Sequence, residues 1–184
     1  MLRIIAGKYR KSLLDQPDIK ITRSTTDRVR ESIFNIIQYE IEESIVLDLF
    51  SGSGAMAIES ISRGAMKAVC VDNSKDAINI INKNVEKLSI KNIDIFGQDA
   101  KNFLIAKKGT KYDFIFLDPP YKNIILLNEI LVLLAQESFL NKYGQIIIET
   151  QEDNFSEILI PEKLIIDKVK NYGKTMIIFL NNIL

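Results

Sequence analysis

The chain of 184 residues fits one domain with at most a short extension, and its 47% apolar and 26% charged composition excludes an extended disordered chain. It has no histidine and one cysteine, Cys70, which excludes a Ser-His-Asp triad, a Cys-His pair, a histidine metal site and an internal disulfide. Net charge is zero but uneven: residues 1–30 carry eight basic and three acidic side chains, and the remainder carries the opposite surplus.

Such a basic arm suits a polyanionic partner; the alternative is a solvated arm with no partner. No amphipathic stretch accompanies it, no apolar run approaches the roughly 18 residues of a spanning helix, and the start lacks a signal-peptide core. A cytoplasmic protein with no membrane partner is expected. A carboxylate-only metal site survives these exclusions, and so does chemistry carried by carboxylates and backbone groups; no metal is assigned.

In chain order, residues 2–14 read as short strands, with Leu2 and Ile4 alternating against Arg3 and a bend at Gly7. Thr25-Thr26-Asp27 opens a helix, with Thr or Asp available as its cap, on which Val29, Ile33, Phe34, Ile36, Ile37 and Ile41 recur at helical spacing. A strand–helix alternation follows. Strands are expected at 45–50, 67–72, 93–96, 112–117 and 145–149, and helices at 55–62, 74–88 and 124–135. Residues 163–170 and 175–180 read as a closing antiparallel pair around Tyr172-Gly173. Apolar strands alternating with helices specify an α/β protein with a mostly parallel, Rossmann-like sheet covered on both faces. Ligands of such sheets sit beyond the carboxyl ends of the strands. Here those ends carry Asp48 to Gly54, Asp72-Asn73, Gln98-Asp99-Ala100 and Asp118-Pro119-Pro120-Tyr121.

Gly52-Ser53-Gly54, between a strand and a helix, lets backbone N–H groups approach a ligand at a helix N-terminus. No Lys-Ser/Thr follows, so it is not a phosphate-cradling P-loop. With Ala57 in the third glycine position, and Asp72 about twenty residues after the loop, it matches a relaxed dinucleotide fingerprint, and a nicotinamide oxidoreductase is one reading. Asp48 weighs against it, because an acid there would face an anionic pyrophosphate. It suits a cofactor with a cationic end, such as the amino-acid moiety and sulfonium of S-adenosylmethionine. Asp72 fits either cofactor by accepting from ribose hydroxyls.

Asp118-Pro119-Pro120-Tyr121 removes two N–H donors and leaves carbonyls and a carboxylate as acceptors, with a ring to stack a base. An exocyclic amine of a base is a poor nucleophile because its lone pair is delocalised. Accepting its hydrogens on Asp118 and a proline carbonyl orients it for in-line attack on a sulfonium methyl. The alternative is a strand-exit turn with Tyr121 covering the core.

These residues resemble the class I S-adenosylmethionine-dependent amino-methyltransferases, whose hallmark is an Asn/Asp-Pro-Pro-aromatic tetrad. Arg3 to Arg10 (RIIAGKYR), Thr25 to Glu31 with Phe34-Asn35, Asp48 to Gly54, Glu59 to Ala65, Phe116 to Tyr121 and Tyr172 to Thr175 resemble the bacterial 16S ribosomal RNA guanine-N2 methyltransferases. The blocks span nearly the whole chain. Ser51, where that family commonly has Ala, and Asp72, where Glu is usual, are mild departures.

The resemblance implies a basic β extension over 1–24 and an S-adenosylmethionine-dependent methyltransferase domain over 25–184. It implies that Asp48, Phe50, Ser51, Gly52 and Gly54 hold the methionine part of the cofactor, and Asp72 with Asn73 its ribose. Asp99 and Ala100 hold the adenine. Asp118, Pro119, Pro120 and Tyr121 take a guanine, and Arg3, Lys8, Arg10, Arg23 and Arg28 contact RNA. The expected partner is 16S rRNA in the small ribosomal subunit or its precursor, and the expected state a monomer. An adenine-N6 methyltransferase shares the tetrad but usually needs a recognition domain for which this chain has no residues. The arm is less basic than tight binding of naked RNA requires, which favours a pre-shaped ribonucleoprotein substrate.

Overall fold

The computed structural model describes residues 2–16, 27–120 and 123–183, and the chain divides into two compact units, 1–99 and 100–184. In the first, β1 (Leu2–Arg3) pairs antiparallel with β2 (Leu13–Leu14). The chain turns between them at Gly7, whose φ of 80° is in the left-handed region that glycine tolerates. Helix α1 (Asp27–Ile36) follows, with Val29, Ile33 and Phe34 buried on one face. Thr25 and Thr26, expected with Asp27 to open this helix, lie outside the described residues.

Then β3 (Ile45–Asp48), α2 (Ala55–Ser62), β4 (Lys67–Asp72), α3 (Lys75–Lys87) and β5 (Ile93–Gly97) alternate as expected. Strand β4 pairs parallel with both β3 and β5, setting Asp48 opposite Cys70 and Asp72 opposite Gly97. Strand β3 and the centre of β4 are nearly continuous apolar runs and are buried, as a sheet covered on both faces requires. Parallel pairing brings Asp48 and Asp72 to the same edge.

The second unit contains α4 (Ala100–Ala106), β6 (Tyr112–Leu117), α5 (Ile124–Gln136), β7 (Leu140–Gln151), a 3-10 helix (Glu152–Glu157), β8 (Leu164–Tyr172) and β9 (Thr175–Asn182). β6 and β7 are parallel; β9, the closing strand, is antiparallel to both β7 and β8. Phe103, Ile115, Ile130, Phe139, Ile148 and Phe179 are among its buried residues.

Three elements depart from the sequence reading. α1 ends at Ile36, so Ile37 and Ile41, read at helical spacing, lie beyond it. α4 was not expected: seven residues are too few to display helical periodicity, and the helix declares itself only by burying Phe103 and Leu104. β7 begins five residues before Gln145, because the polar stretch Asn141–Gly144 masks its first half. There Gly144 passes so close to β6 that a Cβ would lie 2.9 Å from the Tyr112 carbonyl oxygen. Asn141 Nδ2 donates to Asp113 Oδ1 at 2.7 Å beside it. No helix among the described residues is long and apolar enough to cross a membrane.

Candidate active site

The carboxyl ends of β3, β4 and β5 present most of the residues assigned to the cofactor. The loop after β3 is pinned at several points. Ser51 Oγ donates to the Asp48 carbonyl at 2.8 Å and accepts from Val71 N–H at 3.0 Å, and Ser51 N–H donates to the Val71 carbonyl at 3.1 Å. Gly54 N–H closes a tight turn onto the Ser51 carbonyl at 2.7 Å. Gly52 and Gly54 have φ of 53° and 76°, so the left-handed backbone explains both glycines. A Cβ on Gly52 would meet nothing within 4 Å, whereas one on Gly54 would sit 3.2 Å from Ile81 Cγ2. Gly52 therefore faces open space, and Gly54 permits α2 to pack on α3.

Asp48 is the unusual carboxylate. It is 3% exposed, and its Oδ2 has no hydrogen-bond partner among the described residues. Burial, with Asp72 adding to it, pushes its carboxyl up to about 7; the N–H groups of Phe50 and Ala57 and the Ser51 side chain partly offset this. A buried oxygen left without a donor is costly unless a ligand satisfies it. A cationic amino group placed there would supply the hydrogen bond and favour the ionised form.

Asp72 has a structural task the sequence did not disclose. Its Oδ2 accepts from Gly52 N–H at 2.8 Å and its Oδ1 from Ser74 N–H at 2.9 Å, so it shapes the glycine loop. Each carboxylate oxygen keeps a lone pair for a hydroxyl donor. Phe50 is half-buried, Asn73 exposed, and Asp99 half-buried after β5. Cys70, opposite Asp48, is fully buried and its thiol is pushed well up by that burial, so it packs rather than reacts.

In the second unit, Ala100 is buried at the start of α4. Asp118, half-buried, follows the last residue of β6; Pro119 is buried and Pro120 exposed. The Pro120 carbonyl accepts from Asn123 N–H at 2.8 Å, and Asn123 caps α5 by accepting from Leu126 N–H. Tyr121 lies outside the described residues.

The arm residues differ from one another. Lys8, Arg10 and Arg28 are exposed, with Lys8 Nζ 5.2 Å from the Tyr9 ring centroid. Arg3 is exposed but ion-paired to Asp27 at 3.1 Å. Arg23 lies outside the described residues. Arg30, part of the arm's charge surplus, is wholly buried, donating to the Arg3 carbonyl and to Asp27 and lying 3.9 Å from Glu59. Burial lowers its pKa, partly opposed by Glu59 and Asp27.

Sequence reasoning gave Glu59 no role of its own. Its buried carboxylate accepts from Ile5 N–H at 2.8 Å, Ala6 N–H at 3.0 Å and Arg63 Nε at 2.7 Å, clamping the arm to α2. Its place within Glu59–Ala65, one of the matching blocks, was the only signal.

The family model described as Conserved hypothetical protein 95 matches residues 2–181. A Buchnera aphidicola protein named ribosomal RNA small subunit methyltransferase D is 39% identical over 161 residues, 87% of this chain and 81% of its own. A Bacillus subtilis protein named putative rRNA methyltransferase is 35% identical over 180 residues, 95% of each chain. Among solved structures, a putative methyltransferase from Escherichia coli superposes with a TM-score of 0.89 at 31% identity, covering 98% of this chain and 97% of that one. The α/β, Rossmann-like methyltransferase fold expected from the sequence is therefore the observed one. With the family model spanning nearly its whole length, the chain belongs to the Conserved hypothetical protein 95 family.

Proposed function

We propose that this protein transfers the methyl group of S-adenosylmethionine to the exocyclic N2 amine of a guanine in 16S ribosomal RNA, within the small subunit or its precursor. The observation that carries the reading is the unpartnered, buried Oδ2 of Asp48 beside the glycine loop. It suits the cationic amino-acid end of this cofactor and opposes a pyrophosphate. The printed names of the Buchnera aphidicola and Bacillus subtilis relatives support ribosomal RNA as the substrate class.

Gly52 and Gly54 admit the methionine part, Asp72 and Asn73 take the ribose, and Asp99 with Ala100 the adenine. Asp118 and a carbonyl of Pro119 or Pro120 accept the hydrogens of the target amine. Tyr121 stacks on the base. The amine lone pair takes the methyl carbon as the carbon–sulfur bond breaks, and the surplus proton leaves to Asp118 or water. Positioning and electrostatics carry the rate, so the absence of histidine is no obstacle.

Arg3, Lys8, Arg10, Arg23 and Arg28 would touch the RNA backbone. The ion pair on Arg3 and the burial of Arg30 reduce the charge on offer, which favours a substrate already shaped by ribosomal proteins. A monomeric, cytoplasmic enzyme fits this role. The test is transfer of radiolabelled methyl to small subunits from cells lacking the protein, followed by nucleoside analysis. N2-methylguanosine at one site is the expected product; label on adenine N6 would move the target atom, and no transfer to subunits or ribosomal RNA would overturn the reaction.

A further inference from the structure

One side chain joins the basic arm to the cofactor loop. Asn84, on α3, is fully buried, and its amide makes three hydrogen bonds. Oδ1 accepts from Asp15 N–H at 2.8 Å, while Nδ2 donates to the Asp15 carbonyl at 2.9 Å and to the Ser53 carbonyl at 3.0 Å. Asp15 directly follows β2 at the end of the arm hairpin. Ser53 is the central residue of Gly52-Ser53-Gly54. A single planar amide thus spans the arm and the loop, and displacement of either partner misaligns the other's hydrogen bond.

Other described residues of the arm are fastened to the two helices that frame this loop. α2 begins after Gly54 and holds Ile5 and Ala6 through Glu59. Its Ser62 Oγ accepts from Tyr9 N–H at 2.9 Å, and the Ser62 carbonyl accepts from Lys8 N–H at 2.7 Å. α3 packs Ile81 under Gly54 and reaches the Leu13 carbonyl with Lys87 Nζ at 2.9 Å. Against that background Asn84 is distinctive, because it alone among these contacts touches both the arm and the glycine loop.

We infer that Asn84 is a positioning residue which couples RNA contact by the arm to cofactor binding at the glycine loop. The inference rests on the proposed reaction and adds to it a linkage between its two substrates. Engagement of the arm by RNA fixes the Asp15 strand and with it the amide that holds the Ser53 carbonyl. Less ordering then remains for the cofactor to impose, and by reciprocity the bound cofactor tightens the arm's grip on RNA.

The test measures S-adenosylhomocysteine affinity with and without undermethylated small ribosomal subunits, in the wild type and three variants. The wild type should bind about fivefold tighter or better in the presence of subunits. Asp15→Pro removes the N–H donated to Asn84 while leaving the Asn84 bonds to the Asp15 and Ser53 carbonyls, and should lose most of that gain with affinity in the absence of subunits held within about twofold. Asp15→Ala keeps the N–H and should keep the gain, which separates the hydrogen bond from the exposed, 3.9 Å contact of Asp15 with Lys87. Asn84→Ala should lose the gain and also weaken binding in the absence of subunits. A wild type without any gain, or an Asp15→Pro protein that retains it, overturns the coupling. Failure of the wild type to label the subunits overturns the proposed reaction instead, and the label distinguishes the two failures.

Discussion

Asp48 and Asp72 end neighbouring parallel strands, and the charge of Asp72 adds to burial in holding the Asp48 carboxyl near 7. The pair differs in its hydrogen bonding. Asp72 is steadied by two backbone N–H groups, whereas Asp48 keeps one oxygen without a donor among the described residues. Asp48 is thus the less satisfied of the two carboxylates.

A pH dependence follows from that pair. The folded protein holds the Asp48 proton more tightly than the unfolded chain, so the associated stability is full below about pH 4 and is lost as pH rises through about 7. Asp48→Asn should flatten this part of the stability profile, read by denaturant unfolding between pH 5 and 8. In the wild type, cofactor binding near pH 6 should release a proton, seen by calorimetry in buffers of different ionisation enthalpy. The variant should lose that release and bind the cofactor at least about tenfold more weakly.

Asp118 and Asp72 should separate chemistry from binding. Asp118→Ala is expected to abolish methyl transfer with cofactor affinity within a few-fold of the parent, measured by turnover and equilibrium titration. Asp72→Ala should weaken the cofactor strongly. It should also destabilise the fold by about 1–3 kcal/mol, because Gly52 and Ser74 lose their acceptor. A collapse of affinity in the Asp118 variant would move that residue into the cofactor site.

Two glycines should fail in different assays. Gly54→Ala meets both a φ of 76° and Ile81 at 3.2 Å, and should cost about 1–3 kcal/mol and weaken cofactor binding. A Cβ on Gly7 would lie 1.8 Å from the Ser62 carbonyl oxygen, so Gly7→Ala should prise the arm from α2. Its expected signature is weakened binding of small subunits, read by sedimentation, with cofactor affinity in their absence nearly unchanged.

Removing Glu59 should be the most damaging of the changes to the arm's anchorage. Glu59→Ala strips two backbone N–H groups and Arg63 of their acceptor and leaves Arg30 buried beside one fewer acid. About 3–5 kcal/mol is expected, seen as a fall in the unfolding midpoint. Glu59→Gln, which retains one acceptor, should fall between.

The sequence by itself determined the strand–helix alternation, the glycine loop and the acids at the strand ends, because each is written in local spacing. Strand β4 and helix α2 fall where the apolar pattern placed them, and the parallel pairing of β3 with β4 follows from strands too apolar to face water. Elements whose identity depends on partners were not legible: α4 is too short to show a period, and the first half of β7 is polar and held by Asp113 and a close pass at Gly144. Charge was legible only as a sum. Tertiary structure decided that Arg30 is interior and Arg3 paired, because contacts with Asp27 and Glu59 join residues far apart in sequence. It likewise gave Asp72 and Asn84 their tasks, since a side chain's hydrogen-bond partners are fixed by packing and not by its neighbours in the chain.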